Sequence, residues 1–381
     1  MRVYFDNAAT TPLDERVYEA MEPYFKQYFG NPSSIHTHGR EAKIAIERSR
    51  RQIASLLGAS PAEIFFTSGA TEANNTALFS IIRSKGIKHV ITSRIEHHAV
   101  LHPLEYLASK GEIKLDFVRL DENGHIDYVH LTELLSAKKH ILVSLMHGNN
   151  EIGNVTDIER VSSLCKEHGA IYHADTVQTI GKYTIDLEKP HPDVFVASAH
   201  KFHGPKGVGF TYVDGEVSFD PLIHGGAQER NMRGGTENIY GIVGMAKALE
   251  LAVAEKEKNT GHILSLKKHT IDALKKEIPG VVFNGSGSCL NDSESLPTVL
   301  NVQLPLDDMG DMLLFNLDIN QISVSAGSAC SSGTDIGSHV LHELYGDSMT
   351  KPSVRISFSK YNTLEEVNYL IEKLKEICIQ E

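Results

Sequence analysis

The sequence predicts an α/β protein, a larger domain on a mostly parallel sheet joined to a smaller α+β domain. Three observations predict it. Short apolar runs alternate with amphipathic helical patterns from about Gly30 to about Leu249, as parallel strands joined by helices do. The remaining third also reads as strands and helices, without that regular alternation. The length of 381 residues exceeds what one compact core usually holds, so two domains are expected.

In chain order, "EIFFTSG" is a strand that ends in a tight Ser68–Gly69 turn, and "ATEANNTALFSIIRSKG" continues as a helix. "KHVITS" is a strand and "HHAVLHPLEYLASKG" a helix. "KLDFVRL", "HILVSLM", "AIYHAD", "DVFVASA" and "VGFTYV" are further strands. "TDIERVSSLCKEHG" is a helix between two of them, with Thr156 and Glu159 at capping-box spacing. Charged "AEKEKNTGH" continues a long connecting helix. "GVVFNG", "PTVLNVQL", "QISVSAG" and "SVRISFS" then read as strands. "DDMGDMLLFNL" and "TLEEVNYLIEKLKEICI" read as helices, the second opened by a Thr363–Glu366 capping box.

Composition narrows the function. With 41% hydrophobic and 23% charged residues the chain is ordinary for a globular protein. A formal net charge of -12 argues against a general nucleic-acid binder. No apolar run reaches membrane-spanning length, and "MRVYFDNAATTP" lacks a signal peptide's features, so a cytoplasmic protein with no membrane partner is expected. The four cysteines are scattered without a CxxC pair, which suggests neither a zinc ribbon nor a disulfide framework. Cys165 and Cys378 fall on apolar helical faces and read as core; Cys289 sits in a polar loop as an incidental thiol. Cys330 differs, having only Gly, Ala or Ser from Ser325 to Ala329 and from Ser331 to Gly333. That setting leaves a thiolate reachable on a flexible loop.

Ligands of open α/β sheets bind beyond the carboxyl ends of the strands, and the polar clusters fall there. The Ser68–Gly69 turn and Thr71 suit a phosphate at a helix start, although many such turns serve geometry alone. Asp175 ends a buried strand, where a carboxylate needs a partner; a cationic ring nitrogen or a helix N-cap would serve equally. Lys201 follows the strand "DVFVA" between His200 and His203, and a lysine in a dry pocket can form a Schiff base. Phosphate seat, carboxylate and lysine together fit pyridoxal 5'-phosphate. His98 and His102 are spaced i, i+4, but no HExxH pattern or carboxylate completes a metal set. His97 is the candidate stacking or acid-base imidazole, and His98 and His102 read as structural or solvated.

Ten motifs in order then resemble one family: "YFDNAATTP", "GNPSSIHTHGR", "TSGATEANN", "EHHAV", "MHGNNEIG", "HADTVQ", "SAHKFHGPKGVG", "MRGGTEN", "SAGSAC" and "VRISFS". The chain is similar over nearly its whole length to cysteine desulfurases of the NifS/IscS branch, in the class V aminotransferase family. The resemblance implies the pyridoxal-phosphate-dependent transferase fold of type I, with a seven-stranded sheet. It implies a large cofactor-binding domain at 16–250 and a small domain of 1–15 with 251–381 carrying the cysteine loop. By resemblance, Lys201 would carry the cofactor. Ala70, Thr71, Ser198 and His200 would hold its phosphate, and Thr236 would reach the phosphate of the neighbouring subunit in a homodimer. Asp175 would pair with the ring nitrogen, Gln178 and Asn150 would contact the ring oxygen region, and His97 would stack on the ring. Arg355 would clamp the carboxylate of L-cysteine, with Asn150 and Asn7 nearby.

Cys330 would take the sulfur as a persulfide, leaving L-alanine, and pass it to an acceptor such as an iron–sulfur scaffold protein. No metal is intrinsic to this scheme, although Cys330 could transiently ligate an iron–sulfur cluster. Selenocysteine lyase activity and a non-catalytic assembly scaffold are the rival readings. The chain departs from the family's usual pattern at Ser359 and Lys360, where Gly and Arg are commoner, and at Gly337, where Pro is common.

Overall fold

The computed structural model describes residues 1–217, 220–306, 310–326, 337–346 and 351–379. Cys330 lies outside the described residues. Seven strands form the central sheet: β2 (Ile64–Thr67), β3 (His89–Thr92), β4 (Lys114–Phe117), β5 (Ile141–Ser144), β6 (Ile171–Asp175), β7 (Val194–Ser198) and β8 (Gly209–Val213). Their spatial order is β2-β8-β7-β6-β5-β3-β4. All pairings are parallel except the two made by β8. Six carboxyl ends therefore face the same edge.

Helices cover both faces, as a sheet buried on two sides requires. α1 (Glu15–Lys26), α2 (Thr37–Leu57), α6 (Ile158–Glu167) and α7 (Ile239–Ala254) close one core, with Val17, Ile53, Val161 and Leu249 against Val143, Tyr172 and Phe195. α3 (Ala70–Ser84) and α4 (His98–Ser109) close the other, through Leu78, Ile81, Val100 and Leu104. α5 (Tyr128–Ser136) lies outside the strand-helix runs that the sequence made plain.

A second core gathers β1 (Val3–Tyr4), β10 (Val299–Gln303), β11 (Ile322–Ser323) and β12 (Ser353–Ser357) with α8 (Lys256–Glu277), α9 (Gly310–Ile319) and α11 (Leu364–Ile379). β9 (Val282–Phe283) and β12 flank β10 in an antiparallel sheet, and β1 pairs in parallel with β11. The amino terminus is thus built into this second core. α10 (His339–Tyr345) stands apart in a small cluster with Ile95 and Ile152. Among the described residues no helix is long and apolar enough to cross a membrane.

Three local expectations meet different fates. The Thr363–Glu366 capping box forms: Thr363 N–H donates to the Glu366 carboxylate at 3.0 Å and Glu366 N–H to the Thr363 hydroxyl at 3.2 Å. The Thr156–Glu159 box does not, because Asp157 is the N-cap of α6 and takes the Arg160 N–H at 2.9 Å. The long connecting helix is interrupted at Glu255, between α7 and α8. The Glu255 carboxylate pairs with Arg16 at 2.6 Å and with Lys360 at 3.4 Å. Lys360 also meets Asp14 at 2.6 Å, so the residue that departs from the family pattern ties the β12–α11 turn to the start of α1.

The edge strand β2 is closed by side chains. Ile64 O accepts from Arg50 at 2.7 Å and from Arg230 at 2.7 Å, while Phe66 N–H donates to Glu229 at 2.7 Å. Arg50 and Glu229 form a two-pronged pair of 2.7 and 2.8 Å, and the two residues are 2% and 4% exposed. Removing one partner would strand the other charge in the interior. Arg50→Met is expected to lower the unfolding free energy by about 3–5 kcal/mol, and Arg50→Met with Glu229→Gln by less than the two single losses combined. Denaturant titration of the three variants checks this; additive losses would show that the pair is not coupled.

Candidate active site

A cavity of about 510 Å³ opens at the carboxyl edge of the sheet. Most of its walls come from strand ends of the central sheet. β2 leads into Ser68–Gly69, where Gly69 has φ 151° and ψ −179°, a conformation open essentially to glycine alone. α3 then starts with no side-chain cap, so its first N–H groups are open toward the cavity at Ala70 and Thr71. A second glycine makes this possible: a Cβ at Gly209 would lie 2.4 Å from Ala197 O and 3.0 Å from Gly69 Cα.

β7 runs to Ser198 and then into a 3-10 turn, Ala199–Lys201. Lys201 Nζ donates to Ala8 O at 2.6 Å and to Ala9 O at 2.9 Å. His200 Nδ1 lies 3.1 Å from the Thr10 hydroxyl, and burial with the charges of Lys201 and Lys206 pulls its pKa down to about 4. β6 ends at Asp175, which is paired with Val196 in the β6–β7 register, two residues before Ser198. The Asp175 carboxylate is 7% exposed and accepts from Asn74 Nδ2 at 2.8 Å and from Val177 N–H at 3.0 Å. It therefore makes a local turn bond and still faces the cavity.

His97 is the N-cap of α4, and its Nδ1 accepts from Ala99 N–H at 3.0 Å. That bond leaves Nε2 as the nitrogen that can hold or release a proton. Burial lowers the His97 pKa, and the Lys201 charge adds to this while Asp175 opposes it. His98 stacks on His102 with ring centroids 4.6 Å apart and meets His339 in a tilted contact at 4.4 Å. Among the described residues no group of three or more His, Cys, Asp or Glu could hold a metal ion.

The opposite wall is Arg355 from β12, 1% exposed. Its Nη1 donates to Asn150 O at 3.0 Å and its Nη2 to Asp6 Oδ1 at 2.8 Å, while Nε is buried with no hydrogen-bond partner among the described residues. Asp6 also accepts from the Ser325 hydroxyl at 2.8 Å. Asn150 and Gln178 line the cavity; the Gln178 amide donates to Ala8 O at 3.0 Å. Asn7, next to Asp6 in sequence, is not among the residues that line this cavity. Its Nδ2 is committed to Ser357 O at 2.8 Å and Asn362 Oδ1 at 3.2 Å. Thr236 is exposed beside Ser68 and Arg233, outside the cavity. Asp6 and Asn74 lie within the motifs "YFDNAATTP" and "TSGATEANN", but the sequence alone assigns them no role; the fold brings them to Arg355 and Asp175.

Cys165 is buried, which pushes its thiol pKa up, Cys378 packs at the edge of the second core, and Cys289 is half-buried in its loop.

Pyridoxal 5'-phosphate asks three things of a protein: an amine for its aldehyde, a carboxylate for its ring nitrogen and N–H donors for its phosphate. Lys201, Asp175 and the glycine-cleared start of α3 fit all three within one cavity, so fold and site together define a pyridoxal-phosphate enzyme. The aminotransferase class-V family model matches residues 3–370. "Cysteine desulfurase IscS" of Dictyoglomus turgidum is 43% identical over 379 residues, covering 98% of this chain and 94% of that protein. A solved NifS-like protein superposes with a TM-score of 0.89 at 40% identity, covering 99% of each chain. A solved complex of SspA with cysteine gives a TM-score of 0.81 at 32% identity, covering 95% of this chain and all (100%) of that one. The chain belongs to the class-V aminotransferases and, within them, to the IscS/NifS group of cysteine desulfurases.

Buried neutral histidines set a pH limit. Burial pulls His147, His200 and His203 from the usual 6.5 to about 4. The unfolded chain binds these protons first, so their stabilising effect is complete above about pH 6.5 and is lost as the pH falls toward about 4. The cofactor-free protein is expected to lose stability between about pH 6.5 and about pH 4, and His147→Gln to flatten that loss. Urea midpoints across this range measure it; a midpoint independent of pH would contradict the assignment.

Proposed function

We propose that this chain removes sulfur from L-cysteine, leaving L-alanine and a persulfide on Cys330, and hands that sulfur to an acceptor protein. The observation that carries the reading is the convergence of Lys201, Asp175, the open start of α3 and Arg355 on one cavity. Pyridoxal 5'-phosphate, bound through Lys201, supplies an electron sink that lets bonds at the α and β carbons of an amino acid break. Ala70, Thr71, Ser198 and His200 hold its phosphate. Asp175, oriented by Asn74 at 2.8 Å, holds its ring nitrogen. The Lys201 amine moves the proton at the substrate Cα, and His97 exchanges the thiol proton through Nε2. Arg355, fixed by Asn150 O and Asp6, receives the substrate carboxylate.

Cys330 completes the scheme as nucleophile: its thiolate takes the sulfur as the substrate's carbon–sulfur bond breaks. Ser325, five residues before Cys330 in sequence, is bonded through its main chain to Arg355. In this reading 16–250 supplies the cofactor site, and 1–15 with 251–381 supplies Arg355 and the cysteine.

The active unit is a homodimer. Phe29, Ile35 and Ile44 are 66%, 90% and 63% exposed, close in sequence on the α1–α2 side. Phe25 stacks on Tyr240 at 4.3 Å, both exposed, four residues from Thr236. A second copy covering this surface would bring Thr236 to its neighbour's phosphate. The acceptor is a sulfur-carrying or iron–sulfur scaffold protein.

Lys201→Ala is expected to lose both the visible absorption band and alanine production. Cys330→Ala is expected to change its spectrum with cysteine yet form no persulfide; mass spectrometry locating the sulfur on another cysteine would overturn the scheme. Arg355→Ala is expected to raise KM for cysteine by 2–5 kcal/mol in binding terms, on the order of a desolvated charge pair. Arg355→Lys should recover only part, because lysine lacks the planar fork. Equal KM values for both variants and the parent would place the clamp elsewhere.

A further inference from the structure

The turn that opens α3 carries a negative charge of its own. Glu72, in the first turn of that helix, lines the cavity beside Ala70 and Thr71. Its Oε2 accepts from Ser68 N–H at 3.0 Å and from the Ser68 hydroxyl at 2.5 Å. These bonds hold the turn in shape. They also place a carboxylate next to the N–H groups that would face a phosphate dianion, where like charges repel.

A distant segment supplies the compensation. Arg233 meets Glu72 as a fork, with Nε to Oε1 at 2.8 Å and Nη2 to Oε2 at 3.0 Å. The side chains are 24% and 13% exposed, so the pair is only partly screened by solvent. The approach of Arg233 is fixed from the other end. Glu229 is bound by Arg50 and by Phe66 N–H, and Glu229, Arg230 and Asn231 all hold positive φ, at 45°, 56° and 66°. Three such residues in succession persist only where their surroundings hold them. The segment is anchored on either side of the bend to the strand and the helix that flank the turn.

We propose that Arg233 is a positioning residue for the cofactor's phosphate: by cancelling the charge of Glu72 it lets the start of α3 accept a dianion while Glu72 keeps the turn in place. This rests on the phosphate seat assigned above to Ala70, Thr71, Ser198 and His200. Neither Arg233 nor Glu72 is needed for the ring or the amine of the cofactor, so their effect should be confined to the phosphate.

Equilibrium titration of the cofactor-free protein with pyridoxal 5'-phosphate and, separately, with pyridoxal tests it. Arg233→Met is expected to raise Kd for the phosphorylated ligand about 10–100-fold, as unpairing a partly buried charge does, and to change Kd for pyridoxal less than about twofold. Glu72→Gln combined with Arg233→Met is expected to recover most of the lost affinity, because the uncompensated charge is gone. Equal weakening of both ligands, or a double variant as weak as Arg233→Met, would overturn the proposal. Ser198→Ala separates it from the seat. If Ser198→Ala weakens only the phosphorylated ligand and Arg233→Met does not, the seat stands and the role of Arg233 falls. If neither variant distinguishes the ligands, the seat itself is wrong.

Discussion

The Lys201 amine rests on two main-chain carbonyls, Ala8 and Ala9, and the rest of the site is organised around that contact. The carbonyls belong to a segment that begins in the second core and crosses to the edge of the central sheet. Two residues earlier on the same segment, Asp6 holds Arg355. Slightly later, Thr11 donates to His200 O through both its N–H and its hydroxyl, at 2.9 and 2.8 Å. One stretch of six residues therefore sets the distance between the amine and the guanidinium.

Buried charge is the recurrent cost of this design, and each instance near the cavity is met by a specific partner. Asp175 has Asn74 and a turn N–H, Arg355 has Asp6 and a carbonyl, Glu72 has Arg233, and Glu229 has Arg50. All four partnerships join residues more than a hundred positions apart in sequence, from 101 for Asn74 and Asp175 to 349 for Asp6 and Arg355. Stability and site geometry thus rest on the same long-range contacts.

This explains what could be read before the fold was known. The sheet was legible because strand and helix periodicities are local, and Lys201, Asp175 and His97 were legible because strand ends are where α/β sheets place their chemistry. The Thr363–Glu366 box was legible because both of its residues lie on one turn. Its counterpart at Thr156–Glu159 lost to Asp157, a competing cap one residue on that spacing alone does not rank. Asn7 sits inside a motif rich in site residues, yet its amide is drawn to Ser357 and Asn362, some 350 positions away. Asp6, Asn74 and Arg233 lie inside motifs that carry the resemblance, yet their roles were silent for the same reason: each is set by a partner distant in sequence.

The closure of β2 has a consequence for how copies of this chain can meet. An open edge strand is a template on which another strand can be laid, in an orderly complex or in an aggregate. Here Ile64 O and Phe66 N–H are already spent on Arg50, Arg230 and Glu229. Continuing the sheet across this edge would require breaking a buried ion pair first. Growth by strand addition is therefore disfavoured on this side during synthesis and at high concentration, and self-association is steered toward helix faces, which can close into a finite particle.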